Sequence, residues 1–157
     1  MNVKDAVAEA IHWEDTQTAQ IETEIAKDLV VLADPELLVR ALGNLVRNAV
    51  RYAGQAGPIT ISAAQEGGQI TIAVADSGPG VPEGELAKIF DAFYRLDLSR
   101  TRETGGTGLG LTIVKTCVES CGGAVQARNR KPQGLEVVVR LGDGSKGRSG
   151  KNGKPGM

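Results

Sequence analysis

The spacing of apolar residues changes several times along the chain, and each change marks an element. Residues 3 to about 14 carry apolar positions at helical spacing, while 21–25 and 29–32 are short enough and alternating enough to be strands. Asp34-Pro35-Glu36 then reads as a helix start, with Asp34 as cap and Pro35 in the first turn, where its missing N–H costs nothing. Leu37, Leu38, Ala41, Leu42, Leu45, Val46, Ala49 and Val50 follow at helical spacing, forming a core stripe with Asn44, Asn48 and Arg51 near its edge. Residues 58–63 and 69–75 alternate as two strands around Glu66-Gly67-Gly68, a hairpin signal. A second long helix is expected over 109–121, stopped by Gly122-Gly123, and a last hairpin over 124–127 and 135–141 across Lys131-Pro132-Gln133-Gly134. The sum is an α+β chain: a two-layer α/β sandwich whose mixed sheet is covered on one face by helices.

Two stretches break the pattern. Residues 81–105 hold only a short helical stretch around 85–90 and few core-type positions beyond it. A segment this long reads as a mobile lid over a ligand or as a solvated surface loop. It carries Arg95, Arg100 and Arg102, which could approach phosphates. From 142 to 157 the composition turns to Gly, Ser and Lys with no large apolar residue before the terminal Met, so disorder is expected.

Composition narrows the choice. The 157 residues, 41% hydrophobic, suit one domain, and 18 Lys plus Arg against 19 Asp plus Glu leave no strong field for nucleic acid or an anionic membrane. Any phosphate binding must therefore be local. No apolar run approaches the roughly 20 residues that span a bilayer, and no signal peptide is present in the chain. Cys117 and Cys121 share a predicted helix without further Cys or a nearby His, so they read as free thiols rather than zinc ligands. The single histidine, His12, reads as a helix-surface residue, since nothing around it suggests activation.

Three local patterns carry chemistry. Asn48 offers a neutral carbonyl oxygen to Mg²⁺, a hard cation that takes few protein ligands beside substrate phosphates, and Asn44 lies one turn earlier on the same face. Asp76 follows the strand ITIAVA and could accept a hydrogen bond from the exocyclic amine of adenine, where guanine presents a carbonyl. Gly78 and Gly80 would let a base approach the backbone, although DSGPG alone also reads as an ordinary turn. GGTGLGL, at 105–111, opens the second long helix with glycine N–H groups and a positive helix end, a cradle for phosphates or simply a flexible entry. Its alternating glycines do not fit the dinucleotide fingerprint, and the Gly150-Lys151-Asn152 run lacks the P-loop pattern.

As a set, these patterns resemble the sensor histidine kinases. Asn48 within NLVRNAVRY resembles their N box, DSGPG the G1 box, IFDAFYR at 89–95 the F box and GGTGLGL the G2 box, all in family order. The resemblance covers roughly residues 3–141, implies the GHKL (Bergerat) ATP-binding fold, and is especially close to the CpxA-type envelope-stress kinases. It implies ATP and Mg²⁺ as cofactors, with Asn48 and Asn44 serving metal and phosphates, Arg51 near the phosphates and Tyr52 at the adenine. Asp76, Gly78 and Gly80 would hold adenine; Phe90, Phe93 and Arg95 would position the lid, and Arg95 or a neighbouring Arg would stabilise the transferring phosphoryl group. The G2 stretch Gly106, Thr107, Gly108, Leu109 and Gly110 would flank the phosphates.

Asn44 separates the branches of this fold. Gyrase-like hydrolytic relatives place an acid four residues before the magnesium Asn, whereas this chain has an amide there, which cannot act as general base. The resemblance thus implies phosphoryl transfer to a protein nucleophile rather than hydrolysis, with a nucleotide-sensing module or a GHKL ATPase as alternatives. The family's acceptor His-Glu motif is absent from the chain. Expected partners are therefore a separate dimerisation and phosphoacceptor domain and a response regulator, without nucleic acid. The isolated domain is expected to be a monomer that does not phosphorylate itself, and the full-length protein a homodimer whose cytoplasmic domain this is, in an inner-membrane sensor.

Overall fold

Local capping chemistry opens the first two helices. The computed structural model describes residues 1–13, 20–53, 56–91 and 110–144. Its first helix, α1 (Val3–Trp13), starts where the Asn2 side-chain oxygen accepts the Asp5 N–H at 3.1 Å. The second, α2 (Pro35–Ala53), starts where Asp34 Oδ1 accepts the N–H groups of Glu36 and Leu37 at 2.9 and 3.2 Å. These bonds satisfy donors that a helix start leaves without partners. Asp34→Ala is therefore expected to cost about 1 kcal/mol. A lower denaturation midpoint at unchanged slope would record it; an unchanged midpoint would mean that Pro35 alone sets the helix start.

From the expected stripe on α2, Leu38, Ala41, Leu42, Leu45, Val46 and Ala49 are buried, each large side chain contributing roughly 1.5–3 kcal/mol relative to exposure. Helix α2 packs against α1 on one side, against α3 (Gly110–Ser120) on the other, and onto the sheet beneath.

That sheet has six strands: β1 (Ile21–Ile25), β2 (Val31–Leu32), β3 (Ile59–Glu66), β4 (Gln69–Ala75), β5 (Ala124–Asn129) and β6 (Leu135–Asp143). Their order is β1-β3-β4-β6-β2, with β5 also paired to β6. Only β1 and β3 run parallel, so the sheet is mixed, as expected. Alternation assigns the faces. Ile59, Ile61, Ile70, Ile72, Val74, Val137 and Val139 join the core under the helices, while intervening residues such as Thr60, Ser62, Thr71 and Glu136 are only half-buried.

Two expectations are corrected. The chain stays ordered beyond 141: β6 continues through Gly142 and Asp143, which pair with Leu32 and Val31, and the Gly144 N–H reaches Val30 O at 2.7 Å. Polar composition suggested a tail here, but a waiting strand edge satisfies the backbone, and Gln65 Nε2 donates to the buried Asp143 carboxylate. The rest of the expected tail, 145–157, lies outside the described residues. The short helix expected over 85–90 is instead a 3-10 turn at Glu83–Glu85 followed by turns. Its N–H groups reach back three residues, Leu86 to Glu83, Lys88 to Glu85 and Asp91 to Lys88, the bonding of 3-10 turns rather than of an α-helix.

Candidate functional site

Strand register brings the chemistry-bearing segments to one end of the sheet. The end of β4 pairs with the start of β3 (Ala75 with Thr60) and with the start of β6 (Ala75 with Glu136). Just before β3, Pro58 O accepts the Ser77 hydroxyl at 2.9 Å, tying the chain leaving α2 to the loop leaving β4. Helix α3 points its N-terminus to this end, because its C-terminus leads through Gly122-Gly123 into Ala124, which pairs with Arg140 toward the opposite end of β6. Thr112 in its first turn donates to Phe90 O at 3.0 Å.

Asp76 sits at the centre of this end and is 8% exposed. Its Oδ1 accepts the Gly78 N–H at 2.9 Å and the Leu135 N–H at 3.0 Å. Among the described residues both bonds fall on one oxygen, and Oδ2 is the one left to meet a ligand. Burial pushes the carboxyl above the ordinary aspartate range; the two backbone donors and the nearby Arg130 guanidinium oppose that shift without cancelling it.

The two asparagines of α2 are in different circumstances. Asn44 Nδ2 donates to Arg40 O at 2.8 Å, one turn back, and Asn44 lines a groove of about 540 Å³ shared with Glu9, Arg40 and Arg47 on the α1 side. The Asn48 side chain is half-buried and makes no hydrogen bond among the described residues, and neither does the exposed Arg51 side chain beyond it. Sequence spacing put the two amides on one face; among the described residues the Asn48 amide has no partner, while the Asn44 amide has one. No cluster of three or more His, Cys, Asp or Glu side chains suited to a metal occurs among the described residues.

The glycines and aromatics divide likewise. A Cβ on Gly80, where φ is +78°, would lie 2.6 Å from Asn129 Oδ1, so the space beside this glycine is filled by the protein rather than reserved for a base. Gly78 is buried and held in the turn by Asp76. Phe90 belongs to the core with Ile89 and Val81, so its ring faces protein rather than ligand, and its carbonyl is held by α3. Gly110 opens α3, and Tyr52 lies in the last turn of α2. Phe93, Arg95, Arg100, Arg102, Gly106, Thr107, Gly108 and Leu109 lie outside the described residues. His12 is exposed near the end of α1, Cys117 is buried and Cys121 half-buried, and both thiols are free.

Sequence reasoning missed the turn that closes the β5–β6 hairpin. Arg130 Nη1 donates to Asp76 O at 2.7 Å, Gln133 Nε2 to Ser77 O at 2.8 Å, and Asn129 both accepts from Val81 N–H and donates to Val81 O. The available signal was the expected hairpin across 131–134, but its contact with DSGPG depends on the β4–β6 register, which a local pattern does not carry.

Comparison with known proteins places this geometry. Residues 33–144 match the family described as Histidine kinase-, DNA gyrase B-, and HSP90-like ATPase. The chain is 39% identical over 139 residues to the sensor-like histidine kinase SenX3 of Mycolicibacterium smegmatis, covering 88% of this chain and 36% of that protein. It is 44% identical over 108 residues to the sensor histidine kinase CpxA of Escherichia coli, covering 69% and 23%. The chain thus spans about a third or less of the length of these relatives. Among solved structures, the catalytic domain of histidine kinase ThkA superposes with a TM-score of 0.76 at 28% identity, over 91% of this chain and 93% of that one.

Proposed function

Since this chain belongs to the histidine kinase-, DNA gyrase B- and HSP90-like ATPase family, we propose that it is the ATP-binding catalytic domain of a two-component sensor kinase, passing the γ-phosphoryl group of Mg-ATP to a histidine on a separate domain. The observation that carries the reading is Asp76: a buried carboxylate with one oxygen fixed by two backbone donors and the other left for a ligand. Adenine offers an N–H donor to such an oxygen from its C6 amine, where guanine presents a carbonyl.

The residues present fit magnesium as a partner of the nucleotide. Among the described residues no all-protein cage occurs and the half-buried Asn48 amide has no partner, the sparse donor set that suits an ion held chiefly by phosphates and water. When bound, magnesium would neutralise the charge spread over the phosphates. Asn48 would orient the metal-bearing phosphates, Asn44 would offer its remaining carbonyl oxygen, and Arg51 would approach the phosphates from the end of α2. Tyr52 would flank the adenine held by Asp76 and Gly78. The positive end of α3 at Gly110, with Gly106, Thr107, Gly108 and Leu109 before it, would cradle phosphate oxygens. Phe90 would anchor the root of the lid that carries Phe93 and Arg95, and Arg95 would stabilise the transferring group.

No acid stands at position 44 to activate water, which favours transfer over hydrolysis. The acceptor would be a dimerisation and phosphoacceptor domain, and the eventual recipient a response regulator. The parent protein would be a homodimeric membrane sensor with this domain in the cytoplasm; among the described residues no helix is long and apolar enough to cross a membrane.

Mixing the chain with a separately supplied acceptor hairpin and γ-labelled ATP tests the reading. Acid-labile, base-stable label is expected on the hairpin, and none on His12 of the chain alone. Steady phosphate release by the chain alone would instead support a hydrolase, and nucleotide binding without either product a sensing module.

A further inference from the structure

The geometry points to the β5–β6 turn, through Asn129, Arg130 and Gln133, as the template that positions the nucleotide loop at 76–83. The inference rests on the proposed ATP site and adds residues outside all four motif stretches.

An irregular loop leaving a strand has carbonyl groups with no ladder partner, and each needs a donor or water. Here one turn supplies several. Arg130 Nη1 donates to Asp76 O at 2.7 Å, and Gln133 Nε2 to Ser77 O at 2.8 Å. Asn129 treats Val81 as a neighbouring strand would: its Oδ1 accepts the Val81 N–H at 2.9 Å and its Nδ2 donates to Val81 O at 2.6 Å. The same Nδ2 lies 3.0 Å from Glu83 Oε2, extending the clasp to the root of the segment that follows.

The turn is itself braced. The Arg130 N–H reaches Gly134 O at 2.8 Å, and a Cβ on Gly134, where φ is +121°, would fall 2.1 Å from Asp76 O. No side chain fits at position 134, where the turn meets the loop backbone. Asp76 is consequently gripped twice, at its peptide oxygen by Arg130 and at Oδ1 by the Leu135 N–H one residue beyond the turn. With both ends fixed, the direction of Oδ2 is set before ligand arrives, the condition under which a single acceptor discriminates between bases.

Arg130 has a second effect that a purely structural bond would lack. It is the charged group acting on the Asp76 carboxylate among the described residues, alongside the backbone donors of Gly78 and Leu135. Arg130→Met removes bond and charge, whereas Arg130→Lys keeps the charge and loses the fork.

The test is calorimetric binding of Mg-ATP to the full chain across pH, beside thermal unfolding without nucleotide. Asn129→Ala and Arg130→Met are each expected to raise the ATP Kd about tenfold, the cost of roughly one charge-assisted or two neutral hydrogen bonds. Arg130→Met should also move the acid-side loss of binding to higher pH, and Arg130→Lys should not. Exposed Gln133 gives a variant that spares the fold: Gln133→Ala is expected to raise Kd about threefold with unchanged melting. Wild-type affinity in Gln133→Ala and Arg130→Met, or affinity falling only in step with stability and with no movement of the pH midpoint, overturns the positioning role. Absence of ATP binding by the wild-type chain defeats the site reading itself, a result distinct from either.

Discussion

Asn48→Ala is expected to remove most of the magnesium dependence of nucleotide binding and to lower transfer to a supplied acceptor on the order of a hundredfold. The nucleotide-free fold should be unaffected. Asn48 is half-buried on α2 and spends its amide on nothing among the described residues, so its removal orphans no partner among them. Alanine is also the better helix former, by several tenths of a kcal/mol in a helix interior, so the apo melting temperature should hold or rise slightly. Asn44→Ala is the instructive contrast. That amide is already held by its bond to Arg40 O on its own helix, so a smaller loss is expected. Binding measured with Mg²⁺ and with a chelator decides the matter. If Asn48→Ala retains the wild-type difference between the two, the magnesium role assigned to Asn48 is wrong, whatever happens to affinity overall.

Local periodicity and cap chemistry carried most of the fold. The α2 stripe, its Asp34 cap and the β3–β4 hairpin all rest on residues within one or two turns of each other, which is why the sequence made them legible. The resemblance to CpxA-type sensor kinases likewise rested on four short stretches, and it agrees with the matches to this family and to CpxA itself. Failures came where distant pairing decided the outcome. Gly142 and Asp143 look like the start of a tail until Val31 and Leu32, more than a hundred residues earlier, are seen beside them. Gly80 looked like a glycine kept open for a base, but a carbonyl oxygen from Asn129 fills the space. Phe90, expected to help position a lid, is buried in the core with Val81 and Ile89, packing that no local pattern carries. The support of Asp76 was hidden for the same reason: Arg130, Gln133 and Leu135 reach it only through the β4–β6 register.

Asp76→Asn is expected to weaken ATP binding on the order of a hundredfold and to erode or reverse the preference for ATP over GTP. The substitution is nearly isosteric, so its effect turns on which way the amide faces. The Gly78 and Leu135 N–H groups both point at Oδ1, and only the amide oxygen can accept them. The new NH₂ must then occupy the place of Oδ2 and meet the adenine amine donor to donor, whereas a guanine carbonyl would accept from it. Stability should move the other way. Burial holds the Asp76 carboxyl above its ordinary range in the folded chain. A carboxylate whose folded pKa is raised contributes its stability below the unfolded pKa and loses it as pH rises through the folded value. At neutral pH the nucleotide-free Asn variant should therefore be at least as stable as wild type, with the advantage vanishing in acid. Wild-type ATP affinity shrinks as Asp76 is protonated, and the Asn variant should lack that acid limb. Calorimetry with ATP and GTP, paired with melting curves at neutral and acid pH, reads both effects. An Asn variant that binds ATP like wild type, or loses ATP and GTP equally while melting lower at neutral pH, would leave Asp76 a structural residue and take the base-reading role away from it.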